Sequence, residues 1–259
     1  MDFGIPTLIE HKNVEDAAKL AHDLGFRFVE LNMNLPWAGI DELKKCNLQK
    51  ISDVYDVYFT IHADENMFFC DFTERIALAH LENMLEVIDF AGENRIPLVN
   101  FHMSQGVYFT LPDRKVFLFD QYENVYREKL VRFRDMCSKA AGNKVRLCIE
   151  NTGLNHSFVH HGVDELLHSP AFGLTWDIGH DYSAHCCDTP FLQERKEKII
   201  HMHLHDAVGR DCHLPLGKGE MDLDSYLKCA SPERVVVEVK TIDGLYNSVP
   251  WLKKRRYLK

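Results

Sequence analysis

Short runs of consecutive apolar residues alternate along this chain with longer stretches in which apolar residues recur every three or four positions. The runs have the length and composition of strands that are buried on both faces, as in a parallel sheet covered by helices. We predict strands over Phe3–Thr7, Phe26–Leu31, Tyr58–His62, Leu98–His102, Val145–Glu150, Gly173–Asp177, Ile199–His203 and Val235–Val239.

The stretches between the strands predict helices. The clearest is 14–24, because Asn13 is placed to cap its N-terminus and Gly25 to end it. Further helices are predicted over 73–91 and 126–140. For the helix over 73–91, the expected buried side consists of Ile76, Leu78, Leu81, Leu85 and Ile88.

Alternation of strands and helices indicates right-handed βαβ units, and eight of them favour a closed barrel. An open, doubly wound sheet would need a glycine fingerprint after its first strand, and Pro6-Thr7-Leu8-Ile9 supplies none. We therefore predict an α/β protein that forms a single (β/α)₈ TIM barrel, one domain over residues 1–259.

Composition narrows the class of protein. About 46% of residues are apolar and 27% are charged, as in ordinary globular proteins. The net charge of −9 argues against a nucleic-acid partner, because binding to the phosphate backbone needs a basic surface. No signal peptide and no apolar run of about 18 residues is seen, so we expect a cytoplasmic protein without a membrane partner.

Eight cysteines are irregularly spaced and form no CxxC pair. With no secretory signal, we expect reduced thiols rather than a disulfide framework, and no four-cysteine zinc site.

The predicted strands end on side chains that bind metals or exchange protons. At the C-terminal ends, which form the active face of such a barrel, stand His62, His102, Glu150, Asp177, His203 and Glu238. A lone histidine there is more often hydrogen-bonded in the core, and a lone buried glutamate could instead be salt-bridged to Arg146 or Lys240. Six consecutive strands that all end in this way favour one shared site.

These residues predict a divalent-metal centre. Glu150 and Glu238 have apolar neighbours, and a buried carboxylate is costly unless a cation neutralises it. Together with Asp177 they would repel one another, and a divalent cation removes that repulsion. His203 completes a ligand set that suits Zn²⁺, Mn²⁺ or Co²⁺, with Mg²⁺ as a further candidate.

Other residues are weaker candidates. Asp211 and His213 are two apart, so in an extended segment they would share one face and hold one ion. Lys218 lies in a Gly-Lys-Gly turn that would bind an anion of the substrate, although a plain tight turn is the more frequent explanation. Trp176 is a candidate for the wall of a substrate pocket, although such residues are as often packing.

The chain resembles the xylose isomerase-like TIM-barrel superfamily, most specifically in Ile149-Glu150-Asn151, in 176–180 and in 201–220. The resemblance covers nearly the whole chain and favours the sugar isomerase and epimerase branch. It implies one metal on Glu150, Asp177, His203 and Glu238, a small sugar, sugar phosphate or hydroxy-keto substrate that chelates it, and proton transfer between Glu150 and Glu238 through a cis-enediolate. His180 would contact a substrate hydroxyl, and a homodimer is the default expectation for the assembly.

A second branch of the superfamily, the endonuclease IV-type apurinic endonucleases, holds three zinc ions, and its ligand positions are also matched here. The resemblance would place one ion on His62, His102 and Glu150, a second on Glu150, Asp177, His203 and Glu238, and a third on His180, Asp211 and His213. Against this branch, the chain is acidic, and the loop 64–71 contains no Arg or Lys. A metal-dependent dehydratase or lyase on the same barrel is the third alternative.

Overall fold

The computed structural model describes residues 1–153 and 156–258. Eight parallel strands close into a barrel, which confirms the predicted fold. The barrel strands are β1 (Asp2–Pro6), β2 (Phe28–Asn32), β3 (Tyr58–His62), β4 (Leu98–His102), β7 (Arg146–Glu150), β8 (Phe172–Asp177), β9 (Ile199–Leu204) and β12 (Arg234–Val237). They follow one another around the barrel in chain order, and β12 closes it by pairing with β1.

Two antiparallel hairpins that were not predicted lie in the long loops after β4 and β9. The first consists of β5 (Tyr108–Thr110) and β6 (Lys115–Phe117), and the second of β10 (Asp206–Val208) and β11 (Asp211–Leu214). The second hairpin follows β9 at the C-terminal end of the barrel, so its conformation bears on the candidate site.

Helices connect the strands. They are α1 (Val14–Leu24), α2 (Ile40–Leu43), α3 (Leu48–Tyr55), α4 (Glu74–Glu93), α5 (Glu123–Ala141), α6 (Ser157–Leu167), α7 (Ile178–Ser183), α8 (Thr189–Gln193), α9 (Leu223–Ala230) and α10 (Ile242–Lys254). The bounds of α1 are as predicted: Asn13 accepts a hydrogen bond from the backbone N–H of Asp16, and Gly25 ends the helix with φ of 86°. None of the described helices is long and apolar enough to cross a membrane.

The helix α4 confirms the predicted element but corrects its buried side. Ala77, Leu81, Met84 and Ile88 are buried along one stripe, whereas Ile76 is 45% exposed. Neighbouring helical residues point about 100° apart, so Ile76 lies well to the side of the stripe that begins at Ala77.

The interior of the barrel is polar near its C-terminal end. Alternate residues of a strand point to opposite faces, so His201 and His203 of β9 share the inner face, while Met202 packs on the outer side. Buried polar residues inside the barrel include Glu30, Thr60, Asn100, Thr175, His201 and His203. Branched apolar residues usually fill this space, so the polar lining indicates a functional role.

All eight cysteines lie in the described part of the chain and carry free thiols, as expected. Cys70, Cys137 and Cys148 are buried, and burial raises the pKa of each thiol. These three side chains are therefore inert packing groups.

Candidate active site at the barrel mouth

The four residues predicted as metal ligands converge on one point. His203 Nδ1 lies 3.3 Å from Glu150 Oε1, 3.3 Å from Glu238 Oε2 and 3.9 Å from Asp177 Oδ2. All four side chains are buried. Parallel pairing of β8 with β9 sets Asp177 level with His203, which explains part of the convergence.

The arrangement fits a divalent metal ion. His203 Nδ1 and Glu238 Oε2 are buried atoms without a hydrogen-bond partner among the described residues. Buried polar atoms are costly when unpaired, and three carboxylates around one imidazole nitrogen form a donor set that suits several divalent ions. An ion bound by Glu150, Asp177, His203 and Glu238 would satisfy these atoms.

Charged neighbours determine the pKa of both glutamates in the site. Burial opposes the ionisation of Glu150, but the charges of His203 and His102 outweigh it and hold the pKa of Glu150 well below its ordinary value. Burial likewise opposes the ionisation of Glu238, and His203 and Lys240 hold its pKa low. Both glutamates are therefore ionised at neutral pH.

Two further histidines meet at Glu150. His62 Nε2 lies 3.3 Å and His102 Nε2 3.2 Å from Glu150 Oε2. Burial disfavours protonation of His62, yet its hydrogen bond to Glu150 and the charges of Glu150 and Glu30 together outweigh burial and raise the pKa of His62 to about 9. The structure thus brings together His62, His102 and Glu150, the set that the endonuclease resemblance assigns to a first zinc ion.

The predicted third set is only partly assembled. The rings of His180 and His213 have centroids 4.8 Å apart, but Asp211 is exposed at the start of β11. His213 has φ of 59°, which interrupts the extended backbone, so the expected sharing of one face by Asp211 and His213 fails. No cluster of metal-ligating atoms in residues 1–153 and 156–258 includes Asp211.

His205, which the sequence analysis did not select, stands beside His213 instead. Its Nδ1 accepts a hydrogen bond from the backbone N–H of His213 at 2.8 Å, so its Nε2 carries the proton and donates to Asp177 Oδ1 at 3.1 Å. Both nitrogens of His205 are therefore engaged in orienting Asp177 and the β10–β11 hairpin.

A cavity of about 460 Å³ opens above these residues, within the range of small-molecule sites. Glu150 and Glu238 lie in its wall, and His180, Glu65 and Lys240 also line it. The cavity is therefore placed to bring a polar small molecule against both glutamates.

Two predicted substrate-binding residues lie elsewhere. Trp176 neighbours Asp177 on β8 and therefore points to the outer face, where it is buried against Tyr226 and donates to Asp181. Lys218 is exposed and does not line the cavity. The structure gives neither residue a contact with the site.

Two other residues of the site were missed as candidates. Lys240 Nζ donates to Glu238 Oε1 at 2.7 Å, and Glu30 Oε1 lies 2.9 Å from His203 Nε2. A sequence signal existed for Glu30, which is a carboxylate between Val29 and Leu31 in an apolar strand. For Lys240 the sequence offered only a salt bridge with a neighbouring glutamate, and the structure shows that contact with Glu238.

Comparison with known families identifies the chain. Residues 18–254 match the family of the xylose isomerase-like TIM barrel. The chain belongs to this family. The match spans the strands that carry Glu30, Glu150, Asp177 and His203, and it also includes Glu238.

Solved structures of other proteins share the whole barrel. A D-tagatose 3-epimerase-like protein is 22% identical, with a TM-score of 0.75 over 98% of this chain and 96% of that one. An IOLI protein with a bound zinc atom is 16% identical, with a TM-score of 0.72 over 100% of both chains. The probable 3-DHS dehydratase AsbF from Bacillus anthracis is 15% identical, with a TM-score of 0.72 over 98% of this chain and 100% of that one. At these identities the likeness establishes the fold, and no curated protein matched the sequence.

Proposed function

We propose that this protein is a divalent-metal-dependent isomerase or epimerase that acts on a small sugar, sugar phosphate or hydroxy-keto compound. The observation that supports it most is the pair Glu150 and Glu238. Each places an oxygen 3.3 Å from His203 Nδ1, and both line the same cavity. Membership of the xylose isomerase-like family and likeness to a D-tagatose 3-epimerase-like protein agree with this function.

The protein's own groups suit a proton transfer. A metal held by Glu150, Asp177, His203 and Glu238 would polarise adjacent substrate oxygens and so acidify the C–H between them. One ionised glutamate takes that proton as a general base, and the other, once it has taken up a proton from solvent, returns that proton to the resulting cis-enediolate. Return of the proton to the opposite face of the same carbon gives an epimer. Return of the proton to the neighbouring carbon gives an isomer.

Neighbouring side chains keep the two glutamates in the required state. Asn100 donates to Glu150 Oε2, and Lys240 donates to Glu238 Oε1. These hydrogen bonds favour ionised carboxylates whose other oxygens face the metal position. His180 is partly exposed in the cavity wall, where its imidazole would contact a substrate hydroxyl.

The test is solvent-proton exchange. The metal-loaded protein is incubated in D₂O with ketoses, their phosphates and hydroxy-keto acids, and NMR follows deuterium at carbon. We expect deuterium in the product, and we expect Glu150→Gln and Glu238→Gln each to lower turnover by at least about 100-fold without loss of the fold. The exposed Glu128→Gln on α5 is the control. Elemental analysis shows whether each variant retains metal, and full activity in a metal-loaded Gln variant would refute the two-carboxylate mechanism.

The zinc endonuclease is the second candidate, and the contact of His62 and His102 with Glu150 favours it. Against it stand the exposed Asp211 and the net charge of −9. Cleavage of DNA at an abasic site, without deuterium exchange into any ketose, would decide for this candidate.

A dehydratase uses the same first step. If a hydroxyl leaves from the carbon next to the carbanion, the products are an alkene and water, and no proton returns to carbon. The likeness to a probable 3-DHS dehydratase supports keeping this reaction in the screen. Loss of water from a hydroxy-keto acid would identify it.

A further inference from the structure

A ring of buried contacts lies beneath the proposed metal position and ends on two of its ligands. It starts at His203, passes through four polar side chains and returns to Glu150. The connecting residues are Glu30, His201, Thr175 and Asn100.

Glu30 is the central charge of this ring. It is 1% exposed, with Oε1 2.9 Å from His203 Nε2 and Oε2 3.3 Å from both His201 Nε2 and Thr60 Oγ1. A buried carboxylate is costly, and an apolar residue of similar size would often be more stable. The presence of Glu30 is explained if its carboxylate orients His203, the histidine that it contacts.

The contact fixes which nitrogen of His203 faces the ion. When His203 Nε2–H donates to Glu30, Nδ1 is the nitrogen that gives up its proton and offers a lone pair to the ion, and Nδ1 is the atom that Glu150 and Glu238 approach at 3.3 Å. A carboxylate behind a ligating histidine also raises its basicity.

The other end of the ring acts on Glu150. The hydroxyl of Thr175 donates to Asn100 Oδ1 at 2.6 Å, which turns the Asn100 amide nitrogen toward Glu150 Oε2. Oε2 is also the oxygen nearest to His62 and His102, so Oε1 remains directed at His203.

We propose that Glu30 and Asn100 are positioning residues: Glu30 locks the tautomer and orientation of His203, and Asn100 fixes the rotamer of Glu150, so that both ligands are set before the ion binds. This inference rests on the metal centre of the proposed function but not on its substrate. It assigns to the buried ring the task of setting metal affinity.

The experiment measures Co²⁺ and Zn²⁺ affinity of the purified full chain by competition with a chelator, together with the visible spectrum of the Co²⁺ form. Glu30→Ala and Asn100→Ala should each weaken binding by about 10- to 100-fold and change the spectrum. Glu30→Gln, whose amide oxygen still accepts from His203 Nε2–H, should restore most of the affinity. Thr60→Val is the matched control, because it removes the other hydrogen bond to Glu30 in the same buried layer.

Equal affinity of Glu30→Ala and the wild type would overturn the proposal, as would an equal loss in Thr60→Val. If Glu30→Ala does not fold, long-range ¹H–¹⁵N NMR of the zinc-loaded wild type decides: we expect protonated Nε2 and unprotonated Nδ1 in His203, and the reverse tautomer refutes the proposal. No substrate is involved, so failure of the proposed isomerase reaction and failure of this inference are separate results.

Discussion

Lys240 contacts Glu238, one of the two glutamates to which we assign the proton transfer. Its Nζ donates to Glu238 Oε1, while Glu238 Oε2 faces His203. Among the described residues of the cavity wall, it is the one Lys or Arg side chain. It therefore helps to keep Glu238 ionised and directs the free oxygen of that carboxylate to the site.

A change of Lys240 to methionine should alter the pH dependence of turnover. Burial raises the pKa of Glu238, and the charges of His203 and Lys240 lower it below its ordinary value. Without Lys240 the pKa of Glu238 rises, so the acid limb of kcat/KM moves to higher pH, and activity falls more at pH 5 than at pH 8. Lys218→Met, an exposed lysine outside the cavity, is the control. An unchanged acid limb in Lys240→Met contradicts this role.

Single site residues were predictable where a charged side chain stands among apolar neighbours in the sequence. Glu150 and Glu238 stand out as carboxylates among apolar residues, and the structure places both in the cavity. The prediction that Trp176 lines the pocket was wrong because adjacent residues of a strand point to opposite faces. The prediction that Asp211 and His213 share one face was wrong because a positive φ at His213 breaks the extended segment. Lys240 was considered only as a salt-bridge partner of a glutamate, because the sequence did not show that its contact with Glu238 lies in the cavity wall.

At the scale of elements, α5 and α6 flank the strand that carries Glu150. Glu165 of α6 is 7% exposed and accepts hydrogen bonds from Arg127 and Arg134 of α5. This pairing ties the helix before β7 to the helix after it, so it supports the frame in which Glu150 sits.

Removal of the Glu165 charge should destabilise the fold. Glu165→Gln removes the buried one of the two carboxylates that pair with Arg134, which is 18% exposed and keeps only the exposed Asp135, and we expect a loss of about 1.5–3 kcal/mol in the free energy of unfolding. Denaturant melts measure it. Glu86→Gln, from the exposed pair with Lys44, should change stability by less than about 1 kcal/mol. The double variant Arg134→Met/Glu165→Leu should recover stability, and failure to do so would assign the loss to packing rather than to the unpaired charge.

The spacing of apolar residues predicted the presence of each helix more accurately than it predicted which side of the helix is buried. The helix α1 has both caps in its sequence and was found at its predicted bounds. For α4, apolar residues surround several sides of the helix, so the sequence did not show that Ala77 rather than Ile76 faces the barrel. The short hairpins after β4 and β9 have few residues and no repeated pattern, and periodicity did not reveal them.

At the scale of the whole molecule, the buried carboxylates and imidazoles inside the barrel gather near one end of it. The fold itself was predictable because eight apolar runs at regular spacing leave few other topologies. Closure of the barrel then brings together His203 and Glu30, which are 173 positions apart in the chain. The sequence pattern can place such residues at the same end of the barrel, but which of their atoms come into contact depends on the register between the strands.

The metal content of the purified protein is the measurement that separates the candidate functions. We predict one divalent ion per chain by elemental analysis without added metal, because His203 Nδ1 and Glu238 Oε2 of the proposed ligand set have no hydrogen-bond partner among the described residues. Asp211 of the predicted third set is exposed, although His180, His205 and His213 lie close enough to Glu238 to hold a further ion. An ion that binds only the folded chain stabilises it by about 2.7 kcal/mol at 100 times its Kd, so chelation should lower the melting temperature by about 5–10 °C.

The matched variant is Asp177→Asn, which weakens the metal ligand set and should make the melting temperature insensitive to chelator. Close to three zinc ions per chain would contradict the single-ion prediction. That result would turn the function toward a zinc phosphodiesterase, since His62 and His102 lie 3.3 Å and 3.2 Å from Glu150 Oε2. One ion per chain, removed by chelator and restored by Zn²⁺, Mn²⁺ or Co²⁺ together with the melting temperature, would leave the isomerase, epimerase and dehydratase reactions as the chemistry of this barrel.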